Sequence, residues 1–236
     1  KRRLIFLDYD GTIRRFTRRP SEAVPDEQLI DMLTRLCADE RNEVVVISGR
    51  DKDILDSWLG NVEVSIAAGH GIWIRRPRGE WSLLEEVNDD WKATIQPVIE
   101  FFVDRTPGSV MEEKHYSLAW HYRNAEPELA SVRLSELKDA ILSFTSNLDL
   151  TLMEGNNVIE IKPSAFDKGR AVLRWLAQEE WDFVLAAGDD HTDEYMFEAL
   201  TGRGTTVKVG VGMSAADYYV ESVGDIRGLM EAFLTV

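Results

Sequence analysis

The sequence is poor in cysteine, has no long apolar stretch and carries far fewer basic than acidic residues. Of its 236 residues only Cys37 is a cysteine, so no internal disulfide can form. The apolar runs, such as LIFL and FVLAA, are a few residues long, whereas a helix across a bilayer needs about 20. The net charge of −15 disfavours nucleic acid, whose phosphates require a basic surface. We therefore expect no membrane span, no nucleic-acid partner and a cytoplasmic location.

Sequence motifs for zinc and for nucleotides are also missing. The four histidines show neither HxH nor HxxxH spacing, which disfavours a zinc site. No Walker loop and no GxGxxG fingerprint is present, which disfavours nucleotide chemistry of those types. Because the chain starts at Lys1 rather than at Met, we expect it to be part of a longer polypeptide.

Both ends of the chain alternate short apolar runs with amphipathic segments. Residues 4–9, 43–48 and 64–68 read as buried strands, and residues 26–39 have apolar side chains at helical spacing. The same alternation returns after residue 167, with a strand at 183–187. Strand–helix alternation of this kind predicts an α/β fold with a parallel, Rossmann-like sheet covered by helices on both faces.

The middle of the chain follows a different pattern. It predicts a helix, two strands, a longer helix and two more strands, which is the order αββαββ. We interpret residues 78–162 as an inserted α+β domain that closes over a site in the first domain. Residues 1–77 and 163–236 then form the α/β domain.

The first candidate site follows the first predicted strand, as Asp8-Tyr9-Asp10-Gly11-Thr12. Two carboxylates at one strand end repel each other unless a cation lies between them. With Mg²⁺ bound, one carboxylate can attack phosphorus while the other donates a proton to the leaving oxygen. Gly11 allows a sharp turn with its amides facing the ligand. An acidic surface turn is the competing interpretation.

Two further strand or helix ends carry groups suited to phosphate. Ser48 and Gly49 follow a β-branched run and offer a hydroxyl and free amides, although Ser48 is also a plausible helix cap. Lys168 begins a predicted helix, where a cation opposes the helix dipole unless an anion lies nearby. A solvated surface lysine is the alternative.

The fourth candidate is the acidic run 188–194 after FVLAA. Carboxylates at this density indicate a hard cation bound through oxygen, for which Mg²⁺ is the expected ion. Asp189 is the expected direct ligand. Asp193 would hold a coordinated water or orient Lys168, and Asp190 or Thr192 would cap the helix.

Taken together and in this order, the four motifs resemble the haloacid dehalogenase superfamily of phosphotransferases. The resemblance implies Asp8 as nucleophile, Asp10 as acid/base and Ser48, Gly49 and Lys168 as phosphate ligands. It also implies an Mg²⁺ site made of Asp8, the Asp10 backbone carbonyl, Asp189 and Asp193.

A finer resemblance is to trehalose-6-phosphate phosphatases with a type-C2 cap, carried by LDYDGT, VISGR, AAGHG, EEKHYSLAWHYR, VIEIKP and GDDHTDEYMF. It implies that four cap residues bind the sugar hydroxyls, namely Glu112, Lys114, Arg123 and Glu160. It also implies that His70 contributes to substrate binding at the interface of the two domains. The implied substrate is a phosphorylated disaccharide, trehalose 6-phosphate, and the implied partner is a trehalose-6-phosphate synthase, fused or separate. Gly69 stands where the family commonly has Glu, and Lys162 where it often has Arg.

Three other functions remain open on the sequence. The first is a phosphatase for another sugar phosphate, such as sucrose 6-phosphate or a mannosyl compound, which would differ only in the cap. The second is a phosphomutase, and the third is a non-catalytic domain of a synthase fusion. The basic cluster at residues 14–19 is either a solvated loop or an attractor for the anionic substrate.

Overall fold

The chain folds into two compact units. The computed structural model describes residues 1–85, 88–155 and 157–234, the side chains of 143 and 145–147 excepted. The first unit comprises Lys1–Leu84 with Asp167–Val236, and the second comprises Glu85–Phe166. The predicted bounds of the inserted domain, 78–162, stay a prediction, and the strand Ser82–Leu83 within them joins the sheet of the first unit. The roles of the units as core and cap stay predictions.

The described residues form strands and helices that alternate in both units. The strands are β1 (Arg3–Asp8), β2 (Asn42–Ile47), β3 (Ser65–Ala68), β4 (Trp73–Arg75), β5 (Ser82–Leu83), β6 (Val110–Glu113), β7 (Leu118–His121), β8 (Leu150–Gly155), β9 (Val158–Pro163), β10 (Phe183–Gly188), β11 (Thr205–Val209) and β12 (Tyr218–Val220). The helices are α1 (Glu27–Ala38), α2 (Lys52–Leu59), α3 (Trp91–Asp104), α4 (Pro127–Leu148), α5 (Lys168–Leu176), α6 (His191–Ala199) and α7 (Val223–Phe233). No helix in the described ranges combines the length and the apolar character needed to cross a membrane.

The first unit is built on one eight-stranded sheet in the order β12-β11-β10-β1-β2-β3-β4-β5. The pairs from β12 to β3 are parallel, and β4 and β5 add antiparallel strands at one edge. This arrangement confirms the predicted α/β fold with a mostly parallel sheet. Since β1 lies between β10 and β2, the carboxyl ends of these three strands meet at one edge.

Helices bury both faces of this sheet, which explains why its central strands contain uninterrupted apolar runs. All six residues of β1 are buried. Ile5 and Leu7 pack in one cluster with side chains of α1 and α7, while Leu4 and Phe6 pack in another that includes Trp175 of α5. A two-residue period sends successive side chains to opposite faces, so the middle of a strand covered on both sides is apolar at every position.

The second unit contains an antiparallel sheet in the order β6-β7-β9-β8. One face packs on α3 and α4 through a cluster that includes Trp120, Ile159 and Ile161. Alternation along the strands therefore places Glu112, Ala119 and Glu160 on the opposite face, where they stand in register across three strands.

Candidate active site

The carboxyl edge of the large sheet carries most of the predicted catalytic side chains. Asp8 is the last residue of β1 and lies in register with Ile47, directly before Ser48. On the other side of β1, Leu7 pairs with Ala187, directly before Gly188 and Asp189. The strand order therefore brings together three of the four motifs that are far apart in the sequence.

Lys168, the first residue of α5, joins this edge through two buried ion pairs. Its Nζ lies 2.7 Å from Oδ1 of Asp8 and 2.7 Å from Oδ1 of Asp193. All three side chains are at most 6% exposed. Burial lowers the pKa of Lys168, but the charges of Asp193 and Asp8 outweigh it and raise the pKa above its usual value. Lys168 is thus a buried, charged ammonium beside the predicted nucleophile.

Both carboxylate oxygens of Asp193 are engaged by protein groups. Oδ1 accepts from Lys168, and Oδ2 accepts from the backbone amides of Asp189 and Asp190 at 2.8 and 3.0 Å. Asp190 caps α6 by accepting from the amide of Thr192, which decides between the two predicted caps. Asp193 consequently holds Lys168 and the turn after β10 in one arrangement.

Three carboxylates at this edge lie close enough to share a cation. Oxygen atoms of Asp8, Asp189 and Asp193 lie within 4.8 Å of one another. Burial raises the pKa of Asp8 well above its usual value, assisted by the charge of Asp193. Burial and the charges of Asp193 and Asp190 raise the pKa of Asp189 to about 7. Asp8 and Asp193 are buried and Asp189 is half-buried, so three carboxylates lie close together beside the ammonium of Lys168.

The turn after β1 lies directly on the acidic cluster. Gly11 has φ +87°, and a Cβ there would lie 2.1 Å from Oδ2 of Asp189. Only glycine suits this position, because it accepts a positive φ and leaves room for the carboxylate. Thr12, buried in the same turn, donates from Oγ1 to Oδ1 of Asp189 at 3.4 Å.

Asp10 is placed apart from the three clustered carboxylates and is bound by Arg50. Nε of Arg50 donates to Oδ2 and Nη2 to Oδ1, each at 2.6 Å. Arg50 belongs to the quoted VISGR stretch but was not among the predicted site residues. The signal was its position directly after Ser48 and Gly49 at a strand end.

The predicted phosphate ligands after β2 form a tight turn. Ser48 is buried, and its Oγ accepts from the Arg50 amide at 3.2 Å. The imidazole of His70 packs against Gly49, where an added Cβ would lie 2.5 Å from the ring. The backbone amide of His70 donates to the carbonyl of Ser48 at 2.9 Å, so His70 belongs to the same turn.

In the second unit three of the predicted sugar ligands, Glu112, Lys114 and Glu160, lie at the polar face of the sheet. Lys114 lies 3.1 Å from Glu160, which also accepts from Ser117. Glu112 lies 2.7 Å from Nε2 of His121. Arg123 is exposed, just beyond β7. Ser117 and His121 are partners that the sequence did not point to, although both lie within the quoted stretch EEKHYSLAWHYR.

The strand order and the placement of the central strand define the fold class of the chain, which is that of haloacid dehalogenase-like proteins. A solved haloacid dehalogenase-like hydrolase from B. subtilis has the same fold, with a TM-score of 0.64 at 18% identity, over 97% of this chain and 98% of that one.

Relatives of higher sequence identity show which family the chain belongs to. The family model described as trehalose-phosphatase matches residues 6–222, and the chain belongs to the trehalose-phosphatase family. It is 42% identical over 229 residues to a bifunctional trehalose-6-phosphate synthase/phosphatase of Thermoproteus tenax, covering 97% of this chain and 31% of that protein. It also resembles the solved trehalose-6-phosphate phosphatase C-terminal domain of C. albicans, with a TM-score of 0.89 at 28% identity over 100% of this chain and 92% of that one.

Proposed function

We propose that this chain is a magnesium-dependent phosphatase that hydrolyses trehalose 6-phosphate to trehalose and inorganic phosphate. The observation that carries the proposal is Asp8 at the end of the central strand, held by Lys168 on one oxygen. Its other oxygen, Oδ2, is buried and has no hydrogen-bond partner among the described residues. Membership of the trehalose-phosphatase family supports the reaction and the sugar.

The acidic cluster fits a hard divalent cation. An unpartnered, buried carboxylate oxygen is costly unless something binds it, and the excess of carboxylates over ammonium groups makes a positive charge favourable. All donors are oxygens, which suits Mg²⁺ better than softer metals. We assign Asp8, Asp189 and the Asp10 backbone carbonyl as its ligands. When bound, Mg²⁺ supplies charge neutralisation at the phosphoryl group.

Asp8 is proposed to form the covalent intermediate. A carboxylate oxygen of Asp8 bonds to phosphorus as the bond from phosphorus to the sugar oxygen breaks, and Asp10 protonates that leaving oxygen. In the second step Asp10 takes a proton from water, and the water oxygen displaces Asp8 from phosphorus. Both steps are in-line displacements with acid–base assistance.

The phosphate group is proposed to lie against Lys168, the Ser48 hydroxyl and the Gly49 amide. Lys168 is kept charged by Asp8 and Asp193, which suits it to bind an anion. Because both oxygens of Asp193 accept hydrogen bonds from protein groups, we assign Asp193 to orienting Lys168 rather than to holding a coordinated water.

The polar sheet face of the second unit is proposed to bind the sugar. Carboxylates and cations in alternation offer both acceptors and donors to sugar hydroxyls, and Glu112, Lys114 and Glu160 supply them there. Arg123 and His70 complete the proposed substrate set.

A substrate panel tests the proposal. Phosphate release is measured with trehalose 6-phosphate, sucrose 6-phosphate, glucose 6-phosphate and p-nitrophenyl phosphate, and the products are checked for isomerised sugar phosphate. We expect a strong preference for trehalose 6-phosphate and no isomer. Preference for another sugar phosphate would overturn the substrate, and isomer would indicate a mutase. Folded protein without any turnover would indicate the non-catalytic domain.

The partner proposed for this phosphatase is a trehalose-6-phosphate synthase. The Thermoproteus tenax relative is named as a bifunctional synthase/phosphatase, and this chain spans 31% of its length. A synthase beside the phosphatase would supply the phosphorylated disaccharide directly. Cytoplasmic location and the absence of nucleic-acid or membrane partners stay predictions.

A further inference from the structure

The structure assigns Arg50 as a positioning residue that acts through Asp10, an inference that rests on the proposed function. The guanidinium binds both oxygens of the Asp10 carboxylate at 2.6 Å. A two-point contact of this kind is geometrically specific, because the planar fork of arginine matches a carboxylate. It fixes the rotation of the Asp10 carboxylate as well as its position.

Arg50 is itself held from three directions. Its guanidinium lies over the ring of Trp58 in α2, 4.6 Å from the centroid. Its amide donates to Ser48, and its carbonyl accepts from the amide of Gly69 at 2.8 Å. The side chain is only 12% exposed. Arg50 therefore loses little further freedom when it holds Asp10, and the turn that offers Ser48 and Gly49 to phosphate also orients the acid/base.

The ion pair separates Asp10 from the other acids of the site. Among the described residues, the carboxylates that lie close enough to share a cation are Asp8, Asp189 and Asp193, and Asp10 is not one of them. Its charge is matched by Arg50 instead. Without Arg50, the Asp10 carboxylate would lose this restraint and could turn toward the positive charge that Lys168 or a bound cation provides.

Both steps of the proposed reaction need the Asp10 carboxyl in one fixed orientation. In the first step it faces the leaving oxygen, and in the second it faces the attacking water. Arg50 fixes this orientation by binding both carboxylate oxygens. A nitrophenolate leaving group is a stable anion that needs no proton from Asp10, so with p-nitrophenyl phosphate only the second step depends on Asp10 and, through it, on Arg50.

The test is rapid-quench kinetics with p-nitrophenyl phosphate, in which nitrophenol and inorganic phosphate are measured separately, beside steady-state turnover of trehalose 6-phosphate. In Arg50→Met we expect nitrophenol to exceed phosphate early by more than in wild type, up to one equivalent per protein, and turnover of trehalose 6-phosphate to fall by about 10²-fold. Arg50→Lys keeps the charge but not the fork, so its rate should fall between those of Arg50→Met and wild type. A bound phosphoryl group detected on the quenched Arg50→Met protein would confirm the excess.

Arg75→Met is the matched control. Arg75 is also a buried arginine of the first unit, paired with Asp56 and 5.3 Å from the centroid of the Trp81 ring. Its loss should leave both product traces as in wild type. Turnover of trehalose 6-phosphate by both Arg50 variants at the rate of Arg75→Met, with nitrophenol and phosphate released in step from p-nitrophenyl phosphate, would overturn the inference and leave the proposed function standing. A wild-type protein without turnover would remove the proposed function and this inference together.

Discussion

Neutralising one acid of the cluster formed by Asp8, Asp189 and Asp193 should stabilise the protein when no metal ion is supplied, and Asp189→Asn is the change that tests this. Asp189 is the one cluster acid whose pKa is raised to about 7, against 3.8 for a free carboxyl, by burial and by Asp193 and Asp190. At about 1.4 kcal/mol per unit of pKa, ionising it at neutral pH costs at most about 4 kcal/mol. Solvent screening at this partly exposed group lowers the expected gain to about 1–2 kcal/mol.

The sign of the pH dependence follows from linkage. A carboxyl whose pKa is higher in the folded than in the unfolded protein binds more protons when folded between about pH 4 and 7. Stability therefore falls as pH rises through that window. Asp189→Asn lacks this penalty, so its advantage over wild type should be near zero at pH 4 and complete above pH 7.

Mg²⁺ should reverse the order of stability, so that wild type becomes more stable than Asp189→Asn. In the assay, thermal unfolding is followed at pH 7.5 with EDTA and with Mg²⁺. With EDTA the variant should melt about 3–6 °C above wild type. With Mg²⁺ at about 100 times its dissociation constant, wild type should gain about 2.7 kcal/mol, and the variant, which lacks one ligand, should gain much less. Glu198→Gln, an exposed acid of α6, controls for net charge. A variant less stable than wild type in EDTA, or an equal gain from Mg²⁺ in both, would refute the reasoning.

Three smaller changes test other parts of the site. Gly11→Ala places a methyl group on a residue with φ +87°, where it collides with the carboxylate of Asp189. The change should lower the free energy of unfolding in urea by about 1–3 kcal/mol, and an unchanged midpoint would contradict the geometry. Asp26 has a lowered pKa, mainly because Arg227 hydrogen-bonds it. Asp26→Asn keeps a capping residue and should therefore cost only about 0.5–1 kcal/mol at pH 7, with the loss shrinking as pH falls below about 4; a loss that persists at pH 3 would argue against the ion pair. Ser117→Ala removes a hydrogen bond to Glu160 and should lower kcat/KM for trehalose 6-phosphate about fivefold through KM, while p-nitrophenyl phosphate turnover stays unchanged; a lower kcat on both substrates would place Ser117 elsewhere.

The central strands could be predicted because burial on both faces leaves an uninterrupted apolar run in the sequence. The short edge strands β4 and β5 could not be predicted, since two or three residues show no alternation. Their direction depends on the turn at Gly69–Gly71, where three successive residues have positive φ, including His70 at 59°. A reversal of this kind depends on backbone conformation, which the triplet Gly-His-Gly does not predict.

The placement of acidic side chains at the sheet edge was predictable where they directly follow an apolar strand, as Asp8 and Asp189 do. The partners that fix them were not predictable in the same way. The pairing of Asp10 with Arg50 joins residues 40 positions apart and depends on the packing of Arg50 over Trp58 in the next helix. Such contacts are set by tertiary packing, so the position of Arg50 at a strand end indicates that it lies near the site but not which side chain it binds.

The measurement that tests the central claim most directly is phosphate release from trehalose 6-phosphate by the wild-type protein and by Asp8→Asn, each with Mg²⁺ and with EDTA. The account predicts turnover by wild type only when Mg²⁺ is present. It also predicts none by the variant, which should remain folded because asparagine has nearly the same shape. Substantial phosphate release by folded Asp8→Asn, or undiminished release by wild type in EDTA, would contradict the assignment of Asp8 as the nucleophile of a magnesium-dependent phosphatase.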